Sequence, residues 1–138
     1  VRLPAAFALV TLGGAVGTYA RVVVSLVIPD PALASTLAVN IVGAFALGFL
    51  LTRLSDGGNA AGGRRRGLRL LLGTGFCGGF TTYSLIALQA ATLLRQGELP
   101  VAVAYGAITL AAGAVATLLG IVLASPRRSS GARADARS

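Results

Sequence analysis

Four long apolar stretches, separated by short polar breaks, take up almost the whole chain and leave no room for a soluble core. Each approaches or exceeds the roughly 20 residues that a helix needs to cross a hydrocarbon layer. The first runs from Pro4 to Ile28 and stops at Pro29-Asp30-Pro31, a turn that cannot continue a helix. The second opens near Ser35-Thr36, whose hydroxyls can cap free amides, and reaches about Leu54. A glycine- and arginine-rich loop, Ser55 to Gly67, leads to the third, Leu68 to about Leu94. Arg95-Gln96-Gly97-Glu98 then forms a short turn before the fourth, Leu99 to Ala124. With 55% of 138 residues apolar and only 12% charged, the sequence predicts an all-α membrane protein with four transmembrane helices over residues 1–125. The basic tail, residues 126–138, is expected to be disordered. The first stretch is too long for a cleaved signal peptide and lacks a small-residue cleavage site, so it is expected to be a retained span. The chain begins with Val1 and contains no methionine, as expected of an alternative start codon read literally.

The net charge of +8 does not make this a nucleic-acid binder, because the arginines sit at the margins of apolar segments without interleaved stacking aromatics. They report topology instead. Four crossings put the amino terminus, the loop between spans two and three, and the tail on one side. Arg2, Arg53, Arg64, Arg65, Arg66, Arg69, Arg127, Arg128, Arg133 and Arg137 fall there, against Arg95 and Arg21 elsewhere. That side, with both termini, is expected to be cytoplasmic. With no histidine and a single cysteine, Cys77, zinc sites and intrachain disulfides are excluded. No nucleotide-hydrolysing motif occurs, and the chain is not expected to be an enzyme.

Polar and glycine-rich residues inside the spans need a reason. The run Gly73-Thr74-Gly75-Phe76-Cys77-Gly78-Gly79-Phe80-Thr81-Thr82-Tyr83-Ser84 stands where a plain anchor would use leucine. Glycine disfavours continuous helix, so a break is expected near Gly78-Gly79, in the middle of the third helix. Main-chain groups freed in hydrocarbon are tolerable only against protein, water or an ion. The competing reading is close helix packing through small residues, but packing does not ask for paired threonines. Asn40, set among Val39, Ile41 and Val42, shares a helix face with Gly43, Ala44, Leu47 and Gly48. Its amide serves either as interhelical glue or as an anion ligand. The fourth span carries Gly106, Thr109, Gly113, Ala116 and Gly120 on one stripe, with Tyr105 beside Thr109. The glycines indicate close packing, while Thr109 either lines a polar track or bonds the carbonyl four residues back. Gly13 and Gly17 form a small-xxx-small contact pair. Arg21 either snorkels to headgroups or keeps an ion vestibule positive. Asp30, Asp56, Glu98 and Asp135 all lie outside the spans, which disfavours a proton-coupled exporter.

Three runs occur in a familiar order: Gly13-Gly14-Ala15-Val16-Gly17 with Arg21, Thr36 to Phe45, and Gly75 to Ser84. Together they resemble the Fluc (CrcB) fluoride channels. The resemblance implies an antiparallel dimer in the bilayer of a bacterial cell membrane. Fluoride pathways would run along its interface, and a central sodium would be held by backbone carbonyls near Gly78 and Thr81. It makes Asn40 the pore asparagine and puts Tyr83, followed by Ser84, where a pore phenylalanine usually stands. Tyr105 and Thr109 match the polar track of the last helix. Ile86 replaces a second pore phenylalanine, Gln89 a frequent glutamate, and Gly113 a track hydroxyl. The one-sided arginines favour a heterodimer with an oppositely oriented homologue over a dual-topology homodimer. Passive fluoride efflux is the expected function. A non-conducting partner subunit or scaffold, and a small coupled transporter, are the alternatives.

Overall fold

The computed structural model describes residues 2–28, 32–55 and 62–125. The turn at Pro29-Asp30-Pro31, the middle of the loop between the second and third spans, and the tail from Pro126 lie outside the described residues. Four helical stretches are long and apolar enough to cross a membrane. Helix α1 spans Leu3–Val27 and α2 spans Ala32–Ser55. The third crossing is composite: α3 (Gly62–Leu68), a π-helical segment (Arg69–Cys77), a single turn α4 (Gly78–Phe80), and α5 (Ser84–Arg95). Helix α6 spans Leu99–Ala124.

The ends follow local chemistry. Pro4 and Pro100 occupy the first turns of α1 and α6, where a missing N–H costs nothing. The α5–α6 turn closes as expected from Arg95 to Glu98. There Gly97 takes φ +81°, and Gly97 N–H and Glu98 N–H donate to the Leu94 and Leu93 carbonyls. That paired cap needs a residue at ease in the left-handed region. The expected loop Ser55 to Gly67 is shorter than the sequence suggests, because Gly62–Leu68 is helical. Arg64, Arg65 and Arg66 are good helix formers, and they extend an existing hydrogen-bond ladder rather than nucleating a new one.

Lipid offers no hydrophobic drive between helices, so close backbone approach takes its place. A Cβ on Gly13 or Gly17 would fall onto the Leu71 or Phe76 carbonyl, and one on Gly79 would fall onto the Gly14 carbonyl. Helix α1 is thereby pressed against the first half of the third crossing. On the other flank α2 packs along α6, where a Cβ on Gly48 would meet the Thr117 carbonyl and one on Gly120 the Phe45 carbonyl. The close packing expected along the α6 stripe is met within this chain at one end. Gly120 is tightly packed, but nothing lies within 4 Å of a Cβ placed on Gly106 or Gly113. Within the protomer those two glycines face open space. Large apolar side chains of α1 and α6, among them Phe7, Leu26, Leu118 and Val122, are exposed as a lipid-facing surface requires.

The third crossing is broken as expected, but the break falls at Thr81–Tyr83 rather than at Gly78-Gly79. Gly78 keeps helical dihedrals (φ −64°, ψ −37°), whereas Thr81 is extended (φ −80°, ψ 161°). Gly75 and Gly79 serve approach to α1, and the threonines carry the interruption.

Candidate functional site

The break is held open by a residue from another helix. The Asn40 carboxamide donates from Nδ2 to the Thr82 carbonyl at 3.0 Å, and its Oδ1 accepts the Thr82 N–H at 2.8 Å. In an unbroken helix that N–H would bond the Gly78 carbonyl. Thr82 also restarts the chain, since its Oγ1 accepts the Leu85 N–H at 3.3 Å and lies 3.2 Å from Ser84 Oγ. One buried threonine thus ends one half-helix and caps the next.

This arrangement opens on a groove of about 770 Å³ between α2, the π-helical segment, the break and α6. Asn40, Gly78, Thr81, Tyr83 and Thr109 all line it. Tyr83 is 81% exposed, with its ring on the open side of the protomer. Asn40 uses one amide hydrogen on Thr82, and the second has no acceptor among the described residues. Thr81 Oγ1 donates to the Cys77 carbonyl at 2.7 Å, and Thr109 Oγ1 donates to the Tyr105 carbonyl at 2.8 Å.

Tyr105, Ser84 and Arg21 are not brought to the groove wall. Buried Tyr105 donates its hydroxyl to Gln89 Oε1 at 2.6 Å, and Gln89 Nε2 donates to Thr36 Oγ1 at 3.0 Å. A polar line therefore joins Thr36, Gln89, Tyr105 and Thr109 across α2, α5 and α6, reaching the groove at its Thr109 end. Ser84 lies exposed at the start of α5. Arg21, on α1, has a buried Nε without a hydrogen-bond partner among the described residues.

Electrostatically, two unlike helix ends meet at the break, whose residues Gly78, Thr81, Thr82 and Tyr83 line the groove. The carboxyl end of α4 presents carbonyl oxygens, and the amino end of α5 presents amides with the positive end of its dipole. Discontinuous helices serve ions in this way, carbonyls toward cations and amides toward anions. Arg69 adds positive charge to the groove wall, and no span contributes a carboxylate. Three features were not anticipated from sequence: the bridging role of Thr82, the position of Arg69 in the groove wall, and the π-helical segment. The adjacent threonines were the available signal for the first. Wide π turns recur at functional sites, but nothing in the residue pattern marked this one.

Fold and site together define a multi-pass membrane protein with a discontinuous third crossing and an ion-suited groove. A family profile described as CrcB-like protein, Camphor Resistance (CrcB), matches residues 8–121. The fluoride-specific ion channel FluC 2 of Leifsonia xyli subsp. xyli is 45% identical over 117 residues, 83% of this chain and 80% of that protein. The fluoride-specific ion channel FluC 1 of Cutibacterium acnes is 40% identical over 137 residues, 97% of this chain and 94% of its own. A FluC of Gloeobacter violaceus is 40% identical over 121 residues, 84% and 93% of the two chains. The chain belongs to the CrcB-like family.

Proposed function

We propose that this chain is a subunit of a passive, fluoride-selective channel that lets fluoride leave the cytoplasm. The observation that carries the reading is the Asn40–Thr82 bond pair, which holds a broken helix open onto a largely apolar groove set with Asn40, Thr81, Thr82, Thr109 and Arg69. Fluoride is small and strongly hydrated, so a pathway must replace its water with donors. The remaining Asn40 amide hydrogen, hydroxyls and the positive rim of the Tyr83 ring suit that task. The names carried by relatives that align with most of this chain support the same reading. Tyr105 and Ser84 enter it as residues that support the pathway from outside the groove wall, and Arg21 as a vestibule charge.

A structural sodium fits the groups at the break. Gly78 and Thr81 line the groove, and their carbonyls would be neutral hard oxygen donors of the kind that suit a monovalent cation. The α4 carboxyl end is the part of this chain that would hold the ion, which would supply a fixed positive charge there. One protomer offers too few oxygens for a full shell, which agrees with an antiparallel dimer sharing the site.

The open groove and the uncovered Gly106 and Gly113 support a second subunit closing this side. Arginine asymmetry gives this chain one orientation, with cytoplasmic termini and tail, so the partner is an inverted homologue. Fluoride enters cells as its neutral acid and dissociates inside, and the inside-negative potential then drives the anion out through a passive pore. A second reading, a subunit that mainly completes its partner's pore, is favoured by Ile86 and Gly113 on the groove wall in place of donor residues. Growth in fluoride of a bacterium lacking its own channel tests both. Rescue is expected when this chain is expressed with an inverted homologue. Rescue by this chain alone would overturn the obligate pair, and failure of every combination would overturn the channel.

A further inference from the structure

A second cavity, about 440 Å³, lies at the arginine-rich end of the bundle, between the end of α2 and the start of the third crossing. Its wall is formed by Arg65, Arg66 and Arg69 together with Leu54, Ser55 and Leu70. Ser55 Oγ donates to the Leu51 carbonyl, so the guanidinium groups are the donors facing the space. None of the three has a carboxylate partner among the described residues. The one described carboxylate, Glu98, sits in the turn at the opposite end of the third crossing. Asp56 is the sole acidic residue between α2 and the π-helical segment, against five arginines from Arg53 to Arg69, and cannot neutralise them.

A topology signal requires arginines near this end of the span, but it does not require three of them to converge on one concavity. Helical spacing produces the convergence. Arg65 and Arg69 are four residues apart on the third crossing and so share a face toward α2, with Arg66 beside them. Guanidinium forks match phosphate oxygens in pairs, and basic pockets between spans on the cytoplasmic side suit phosphate headgroups. Leu54 and Leu70 add an apolar wall beside the cationic one.

We propose that Arg65, Arg66 and Arg69 form a binding site for a phosphate group, with the leucine wall suiting one carried on an anionic phospholipid. Arg69 also lines the interior groove, so a phosphate held here adjoins it. The site stands independently of the fluoride reading, and its test does not measure flux.

Short-chain phosphatidylglycerol, phosphatidylcholine and inorganic phosphate are titrated into the detergent-purified full chain. Phosphatidylglycerol is expected to bind saturably and phosphatidylcholine not. The variant R65Q/R66Q/R69Q is expected to bind on the order of a hundredfold more weakly, at about fivefold per arginine. The charge-matched variant R127Q/R128Q/R133Q, altered only in the tail, is expected to bind as the unaltered chain does. Both variants are first checked for the same elution profile and thermal stability, and single substitutions Arg65→Gln and Arg66→Gln replace the triple should it not fold. Displacement of phosphatidylglycerol by millimolar inorganic phosphate would support the site as one for any phosphate group. Resistance to displacement would support the lipid as its source. Equal losses in the pocket and tail variants, or equal binding of the two lipids, would overturn the proposal.

Discussion

Replacing Asn40 with alanine removes both bonds that hold the break, and the structure sets the size of the effect. The Thr82 N–H and carbonyl lose partners at 2.8 and 3.0 Å together. In a dry soluble core each orphaned group would cost about 1–3 kcal/mol. Interhelical hydrogen bonds in bilayers average about 0.6 kcal/mol and reach about 1.7, because the unfolded chain in lipid finds other partners. The groove is open, so the lower scale applies, and the two bonds together should contribute about 1–3 kcal/mol. Asn40→Asp tests the same contact with a charge. Its carboxylate can still accept the Thr82 N–H but confronts the Thr82 carbonyl, and it places negative charge on the groove wall. One bond kept is offset by that repulsion, so it should lose at least as much stability as Asn40→Ala and impair fluoride flux more severely. Reversible unfolding in mixed micelles measures the first quantity and efflux from liposomes the second. An Asn40→Ala protein that unfolds within about 0.5 kcal/mol of the unaltered chain would refute the holding role, that shift being smaller than one average bilayer hydrogen bond. Unchanged flux in the same protein would refute the pathway role.

Gly17→Ala should cost about 1–3 kcal/mol by driving a methyl group into the Phe76 carbonyl, whereas Gly106→Ala meets nothing and should leave protomer stability unchanged or higher. The same unfolding assay compares them, and equal losses would contradict the packing assigned to α1. Gln89→Leu removes the bonds to the Thr36 and Tyr105 hydroxyls and should lower stability by about 1–3 kcal/mol, at about 0.5–1.5 kcal/mol for each lost bond, read as a lower midpoint of thermal unfolding. Thr82→Val removes the acceptor for the Leu85 N–H while keeping the main-chain bonds to Asn40. It should cost about 1 kcal/mol, with faster amide exchange confined to the first turn of α5.

The four spans, the Gly97 turn and the polar residues of the third crossing were legible in the sequence, because span length, a left-handed glycine and misplaced hydroxyls are local signals. The position of the break was not. It depends on a bond between residues 42 positions apart, and glycine content pointed to Gly78-Gly79 when those glycines remain helical. Glycine periodicity put Gly106 and Gly113 on one stripe with Gly120, of which Gly120 alone is packed within this chain, since a stripe identifies a face without saying what covers it. Tyr105 and Thr109 were recognised as a polar pair. Their separation into a buried brace and a groove wall depends on Gln89, a residue on another helix.

Ion efflux from liposomes tests the central claim most directly, with this chain reconstituted beside an inverted homologue and a potassium gradient setting the potential. Fluoride should leave rapidly while chloride is retained, and Asn40→Ala should slow the fluoride. Liposomes that retain both ions, or release both alike, would contradict the account.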